Sequence, residues 1–276
     1  MTTSPAVAPT RALSGDAVDR ARAEGRAVLV GYLPVGFPDV AASVEAARAM
    51  VAGGVDVVEL GLPYSDPLID GPVIQHAVDA ALRGGTRTHD VLAAVEQVAA
   101  TGAAVLVMTY WNPVDRYGVD RFAADLASAG GAGLITPDLI PDEAGEWLAA
   151  SDAHDLERVF LVAPSSTPDR LRSTVAACRG WVYAASTMGV TGVRASVGDR
   201  AEGLVGRTRA AGAERVCVGL GVSTGDQAAT VAAYADGVIV GSAFVRAIRD
   251  GGAAAAGELA EELAAGVRRG RAGAAT

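Results

Sequence analysis

The chain contains no lysine; all 23 of its basic residues are arginine. Without a side-chain amine it cannot form a Schiff base with a substrate carbonyl, nor carry pyridoxal phosphate covalently. Cysteine is nearly absent. Cys178 and Cys217 show no disulfide framework and no metal-ligand spacing, so both are expected as small buried residues in a reducing compartment. Histidine is scarce as well. His76, His89 and His154 lie in or beside segments of helical spacing, where surface or core histidines are commoner than metal ligands. The chain also lacks a basic excess: 32 acidic residues against 23 basic leave a net charge of −9. That balance argues against nucleic acid or an anionic membrane surface as the main partner. No apolar run is long enough to cross a bilayer. The first 14 residues are small and polar and lack the apolar core of a signal peptide, so they are expected as a loose tail of a cytoplasmic protein.

What remains is a soluble-protein composition, half hydrophobic and 20% charged over 276 residues. Heavy use of alanine, glycine, valine and arginine reads as a compositional bias, and the lysine loss goes with it. The dominant pattern is a short apolar run followed by an amphipathic segment, repeated eight times. The strand candidates are Ala27–Leu33, Val55–Leu60, Ala104–Thr109, Gly133–Thr136, Val159–Val162, Trp181–Ala184, Val216–Gly219 and Gly237–Val240. Helical spacing marks Val40–Val51, Pro72–Leu82, Val119–Ala129 and Thr224–Tyr234, among others. Strands that are apolar throughout indicate a parallel sheet covered on both faces. Eight such units without a linker favour an α/β (β/α)8 barrel, a TIM barrel, over 15–270 as one domain, with 271–276 as a second tail. An open doubly wound sheet is the alternative, because periodicity counts units and does not show closure. Leu13–Glu24 is expected as an extra helix under the barrel, and Ala253–Arg269 as the terminal helix.

In such a barrel chemistry sits where strands end. Period two along the second strand places Glu59 on the face of Val55 and Val57. If that face points inward, Glu59 stands at the mouth over apolar neighbours, where desolvation raises its pKa and suits it to passing protons. An outward glutamate paired with arginine is the equal alternative. The loop that follows, with Pro63, Pro67 and Pro72 and glycines at 61 and 71, is too stiff for a plain connector and brings Asp66 and Asp70 near Glu59. Asp66-Pro67 is equally a turn signal, and Asp70-Gly71-Pro72 a helix-start signal.

Glycines recur at later strand ends: Ser186 to Gly192, then Gly221, then Gly241-Ser242 opening a short helical stretch Ala243–Ile248. Barrels often hold phosphate with the loops after strands seven and eight and the N-terminus of such a helix. Backbone N–H groups and the helix dipole supply the attraction, so no lysine is needed.

The run Glu59 to Pro72, together with Tyr183-x-x-Ser186-x-x-Gly189-Val190-Thr191-Gly192, Gly221 and Gly241-Ser242, resembles the tryptophan synthase α subunit family. Gly36-Phe37-Pro38-Asp39, Tyr110-Trp111-Asn112-Pro113, Pro137-Asp138-Leu139 and Ala163-Pro164 extend the resemblance over roughly residues 15 to 270. It implies a lyase that splits indole-3-glycerol phosphate into indole and glyceraldehyde 3-phosphate. Glu59 falls on the catalytic acid/base and Asp70 on the carboxylate that meets the indole N–H. Gly192, Gly221, Gly241 and Ser242 fall on phosphate-binding positions, with Thr191 beside them, and Tyr183 beside the glycerol chain. Tyr32, Tyr110, Thr136 and Ile239 fall around the indole pocket. Asp66 and Asn112 fall in loops that face a β subunit, which carries the pyridoxal phosphate in an α2β2 assembly; this chain itself takes no cofactor and no metal. The chain departs from the family pattern at Tyr64, Ile69, Ile140 and Thr187, where phenylalanine, a small residue, proline and, in some members, arginine are found. None of these removes a group the reaction needs.

The rivals are a stand-alone indole-3-glycerol-phosphate lyase, another phosphosugar barrel such as an isomerase, and a catalytically silent ligand-binding module that regulates β. Glu59 and Asp70 together speak against the last.

Overall fold

A computed structural model describes residues 11–185, 194–219 and 221–272. Its strands are β1 (Val28–Pro34), β2 (Val57–Gly61), β3 (Ala104–Met108), β4 (Gly133–Thr136), β5 (Glu157–Val162), β6 (Val182–Ala185), β7 (Val216–Gly219) and β8 (Gly237–Val240). Each pairs in parallel with the next, and β8 returns to β1 with Gly237 opposite Val28, so the sheet is a closed barrel. The open-sheet alternative falls on that last pairing.

Alternation along each strand divides the core in two. Val28, Val30, Val57, Leu106, Ile135, Val159, Trp181, Cys217 and Ile239 fill the barrel interior. Leu29, Leu33, Val58, Leu60, Leu134, Phe160 and Val218 face the helices. Val55 belongs to the outer set, packed near Gly31 and Phe244. This differs from the sequence expectation, because β2 begins at Val57 and alternation does not reach back to residue 55.

The helices start where the sequence signals a start. Asp39 accepts from the Ala42 N–H (2.8 Å) to open α2 (Val40–Ala52), and Pro72 sits in the first turn of α3 (Pro72–Arg83). Between strands lie α4 (Thr88–Ala99), α5 (Trp111–Tyr117), α6 (Val119–Ser128), α7 (Gly145–Ala153), α8 (Pro168–Ala177), α9 (Arg194–Ala210) and α10 (Gly225–Ala232). The last, α11 (Ser242–Ala272), breaks at Gly252, whose φ of 64° and ψ of −150° are not helical. The break separates a short arm after β8 from the terminal helix, the two segments expected from the sequence.

An additional helix, α1 (Ser14–Ala23), closes the bottom of the barrel. Glu157, the first residue of β5, turns its carboxylate to the start of α1. It accepts from the backbone N–H groups of Ser14 and Gly15 at 2.8 Å each, and from the Ser14 hydroxyl, which in turn accepts from Trp181 Nε1 at 2.9 Å. Among the described residues no helix is long and apolar enough to cross a membrane.

Candidate active site

Glu59 lies in β2, level with Tyr32 of β1 and Leu106 of β3. Its side chain is fully buried, and neither carboxyl oxygen has a hydrogen-bond partner. Burial without a compensating donor penalises the charged form, and it pushes the Glu59 pKa up to about 8. At neutral pH this group is a carboxylic acid with a proton to give. The outward, arginine-paired alternative is not what the barrel contains.

Two tyrosines lie over the same mouth, and two glycines make room for them. A Cβ at Gly61 would stand 2.5 Å from the Tyr32 hydroxyl, and one at Gly219 would stand 2.6 Å from the Tyr183 hydroxyl. Tyr32 is buried and Tyr183 half-buried, and both sense the carboxyl groups of Glu59 and Asp70. Burial, the largest cause, raises their pKa values well above the ordinary phenol value, so they stay neutral. Cys217, the register partner of Tyr183 on β7, also belongs to the barrel interior.

Asp70 ends the stiff loop after β2, immediately before the Gly71 cap of α3. Burial raises its pKa, and a hydrogen bond from Tyr110 opposes the rise by favouring the anion. The Tyr110 oxygen accepts the backbone N–H groups of Leu68 (2.9 Å) and Ile69 (3.1 Å). Asp70 and Tyr110 line a cleft of about 290 Å³, open solvent at its mouth included, with Tyr32, Leu62, Tyr64, Val78, Met108, Thr109 and Pro137. The residues apart from Asp70 present mostly rings and aliphatic surface, which suits a small flat apolar group.

Gly241 sits at the other side of Tyr32. A Cβ at Gly241 would lie 3.3 Å from Tyr32 Cδ1, so one tyrosine side chain spans from Gly61 to Gly241. Ser242 then opens α11 with Gly241 before it, and the Val245 N–H returns to the Gly241 carbonyl at 3.1 Å. Gly221 has a φ of 70°, the left-handed region that glycine enters freely. Thr191 and Gly192, with the rest of the Ser186 to Gly192 run, lie outside the described residues.

Ile239 points into the barrel. Thr136 is buried at the end of β4 with its hydroxyl unbonded; alternation from the inward Ile135 sets it on the face of Leu134, and it does not line the cleft. Asp66 is exposed in the β2–α3 loop, where the Ser65 hydroxyl donates to it at 2.6 Å, and Asn112 is exposed in the first turn of α5 and not in a loop. Sequence reasoning assigned no role to several cleft residues. Met108, Thr109 and Pro137 stand at strand ends and were open to discovery by that rule. Val78, a turn and a half into α3, carries no such signal. Asp138 was also passed over: its carboxylate accepts the Trp111 N–H at 2.9 and 3.1 Å and so fixes the start of α5 directly after Tyr110.

A closed (β/α)8 barrel with a neutral acid at its mouth and an apolar cleft beside it defines a barrel enzyme equipped for acid–base chemistry on a flat apolar substrate. The family model described as "Tryptophan synthase alpha chain" matches residues 18–271. A tryptophan synthase alpha chain of Mycobacterium intracellulare is 63% identical over 255 residues, covering 92% of this chain and 94% of the relative. That of Acidothermus cellulolyticus is 62% identical over 258 residues, covering 92% and 97%. Among solved structures, Mycobacterium tuberculosis tryptophan synthase superposes with a TM-score of 0.88 at 60% identity, covering 92% of this chain and 98% of that one. The tryptophan synthase alpha subunit of Legionella pneumophila does so with a TM-score of 0.85 at 30% identity, covering 93% and 98%. The chain belongs to the tryptophan synthase alpha chain family, and its activity is the lyase reaction of that subunit.

Proposed function

We propose that this chain splits indole-3-glycerol phosphate by a retro-aldol reaction in which Glu59 handles both protons. Protonated Glu59 gives its proton to C3 of the indole, and the ring becomes an indoleninium with positive charge at N1. The Asp70 carboxylate accepts the N1–H and stabilises that charge as it develops. The Glu59 carboxylate then takes the proton of the adjacent glycerol hydroxyl. The bond from C3 to that carbon breaks, its electron pair returns to the ring, and indole and glyceraldehyde 3-phosphate separate, leaving Glu59 protonated again. One group serves as acid and then base if its pKa lies near the working pH.

The carrying observation is the Glu59 carboxyl itself, buried, unpartnered and raised to about 8. Tyr183 would flank the glycerol chain, and Tyr32, Tyr110 and Ile239 the indole. Gly192, Gly221, Gly241 and Ser242, with Thr191, would hold the phosphate through backbone N–H groups and the start of α11. We assign this chain no cofactor and a cytoplasmic setting. Its indole would pass to a pyridoxal-phosphate-bearing β subunit in an α2β2 assembly, with Asp66 and Asn112 at the contact. Support for a docking face comes from the same loop, where Leu68 is 77% and Ile69 41% exposed.

Mixing the purified chain with indole-3-glycerol phosphate and following free indole tests the reading. Glu59→Gln should abolish release while phosphate-ligand affinity stays within about threefold; full activity in that variant overturns it. Adding a β subunit should accelerate cleavage; a stand-alone lyase would be indifferent.

A further inference from the structure

Tyr110 does more than wall the cleft. A phenol oxygen has two acceptor sites and one proton. Both acceptor sites are taken by consecutive backbone N–H groups, Leu68 at 2.9 Å and Ile69 at 3.1 Å. The proton is left for the Asp70 carboxyl, which follows Ile69 in the chain and lines the same cleft, and its nearness favours the anion. One oxygen thus holds two consecutive residues of the β2–α3 loop and shares a cleft with the carboxyl of the third.

The ring that carries this oxygen is itself held. Tyr110 is buried, the Tyr64 ring leans on it at 5.3 Å with a 35° tilt, and Asp138 fixes the next residue's N–H. The loop, by contrast, has little packing of its own at Leu68 and Ile69, whose side chains project into solvent. Hydrogen bonding to Tyr110 therefore sets the backbone there.

We propose that Tyr110 is a positioning residue for the lyase reaction, its hydroxyl tying the exposed Leu68–Ile69 tip and the Asp70 carboxylate into one unit. This rests on the role given to Asp70 above. A shift of the tip changes which bonds the phenol makes and thereby the aim of Asp70, so whatever docks on Leu68 and Ile69 acts on the carboxylate through this oxygen. The other titratable groups that share the field of Asp70 are Tyr32 and Tyr183, both neutral phenols, with Glu59 behind them as a neutral acid. No second donor is assigned to the Asp70 carboxyl among the described residues.

Tyr110→Phe keeps the ring and removes only the oxygen. Losing a hydrogen bond to a charged group should lower kcat about 10–100-fold, with KM within about threefold. The acid limb of kcat/KM should move to higher pH, and a 13C-carboxyl titration of Asp70 in the ligand-free protein should move the same way. A residue that only walled the pocket would change KM and leave both pH readouts alone. In an Asp70→Asn background the same substitution should cost less than about threefold, because partners in one network are not additive. A wild-type kcat with an unmoved acid limb, or an equal loss in both backgrounds, overturns the proposal. Amide hydrogen exchange on the wild-type chain needs no variant: Leu68 and Ile69 N–H groups exchanging as fast as free loop amides would also overturn it. If Glu59→Gln proves fully active, the lyase mechanism fails while the exchange measurement still reports on Tyr110.

Discussion

Glu59→Gln should strengthen the fold while it silences the enzyme, and the gain should depend on pH. In the unfolded chain the carboxyl ionises from its ordinary 4.5 upward; in the folded barrel it keeps its proton to about 8. Between those values the folded state holds one more proton than the unfolded state. Stability therefore falls as pH rises, by about 1.4 kcal/mol per pH unit, and is level below and above the window. The accumulated loss is about 3 kcal/mol at pH 7 and about 5 kcal/mol above pH 8. Glutamine never ionises and carries no such slope. Its unpaired amide in the same dry site adds a cost, but one that does not change with pH. Urea unfolding of both proteins between pH 5 and 8.5, at constant ionic strength, gives the difference directly. The advantage of the variant should climb by about 1.4 kcal/mol per unit and level off near pH 8. A difference that stays flat within about 0.5 kcal/mol would mean that Glu59 is ionised or solvated in the folded protein, and the proton-carrier argument would fail with it. The same titration should appear in the wild-type enzyme as a fall of kcat/KM on the alkaline side near pH 8, since that ratio reports the free enzyme.

Asp70→Asn should lower kcat about 100-fold, the usual loss when a group aimed at developing charge is removed; single-turnover indole release measures it. Because burial raises the Asp70 pKa and only the anion stabilises N1, wild-type kcat/KM should also decline on the acid side, above the ordinary aspartate range. Gly219→Ala puts a methyl group 2.6 Å from the Tyr183 hydroxyl and 2.8 Å from its ring. Overpacking of that kind costs about 1–3 kcal/mol in urea unfolding, and the displaced ring should cost at least about 10-fold in kcat/KM. Glu157→Ala removes the acceptor of two buried N–H groups at the start of α1. It should destabilise the barrel by roughly 3 kcal/mol and leave kcat unchanged, because it acts at the far end from the mouth.

Much of this was legible from residues alone. The eight apolar runs, the short arm after β8 and the helix before β1 follow from periodicity and turn chemistry, and strand-end position pointed to Glu59. What was not legible depends on contacts between distant residues. Closure rests on β8 meeting β1, which no local pattern encodes. The strand start at Val57 was misjudged because Val55 is apolar on either face. Tyr110 read as a ring against the indole, and nothing in the sequence says that its oxygen takes two amides 41 and 42 residues earlier in the chain. The cleft's Val78 is set by how α3 tilts against the barrel, a packing outcome.

The barrel contains two buried glutamates, and comparing them separates chemistry from architecture. Both are almost wholly removed from water, and in both burial raises the pKa. Glu157 offsets its desolvation with three donors at the foot of the barrel, which turns a costly charge into a clamp on α1. Glu59 has none. A fold selected for stability alone would replace such a group with leucine or supply a partner, since an unpartnered buried carboxyl lowers stability at every pH above its unfolded value. The unpartnered state is what gives Glu59 a movable proton, because each donor bonded to the carboxylate would lower its pKa and hold it as the anion. In a chain without lysine, the proposed cleavage would draw its electron sink from the substrate, with the proton of this uncompensated acid converting the indole ring into that sink in place of a Schiff base.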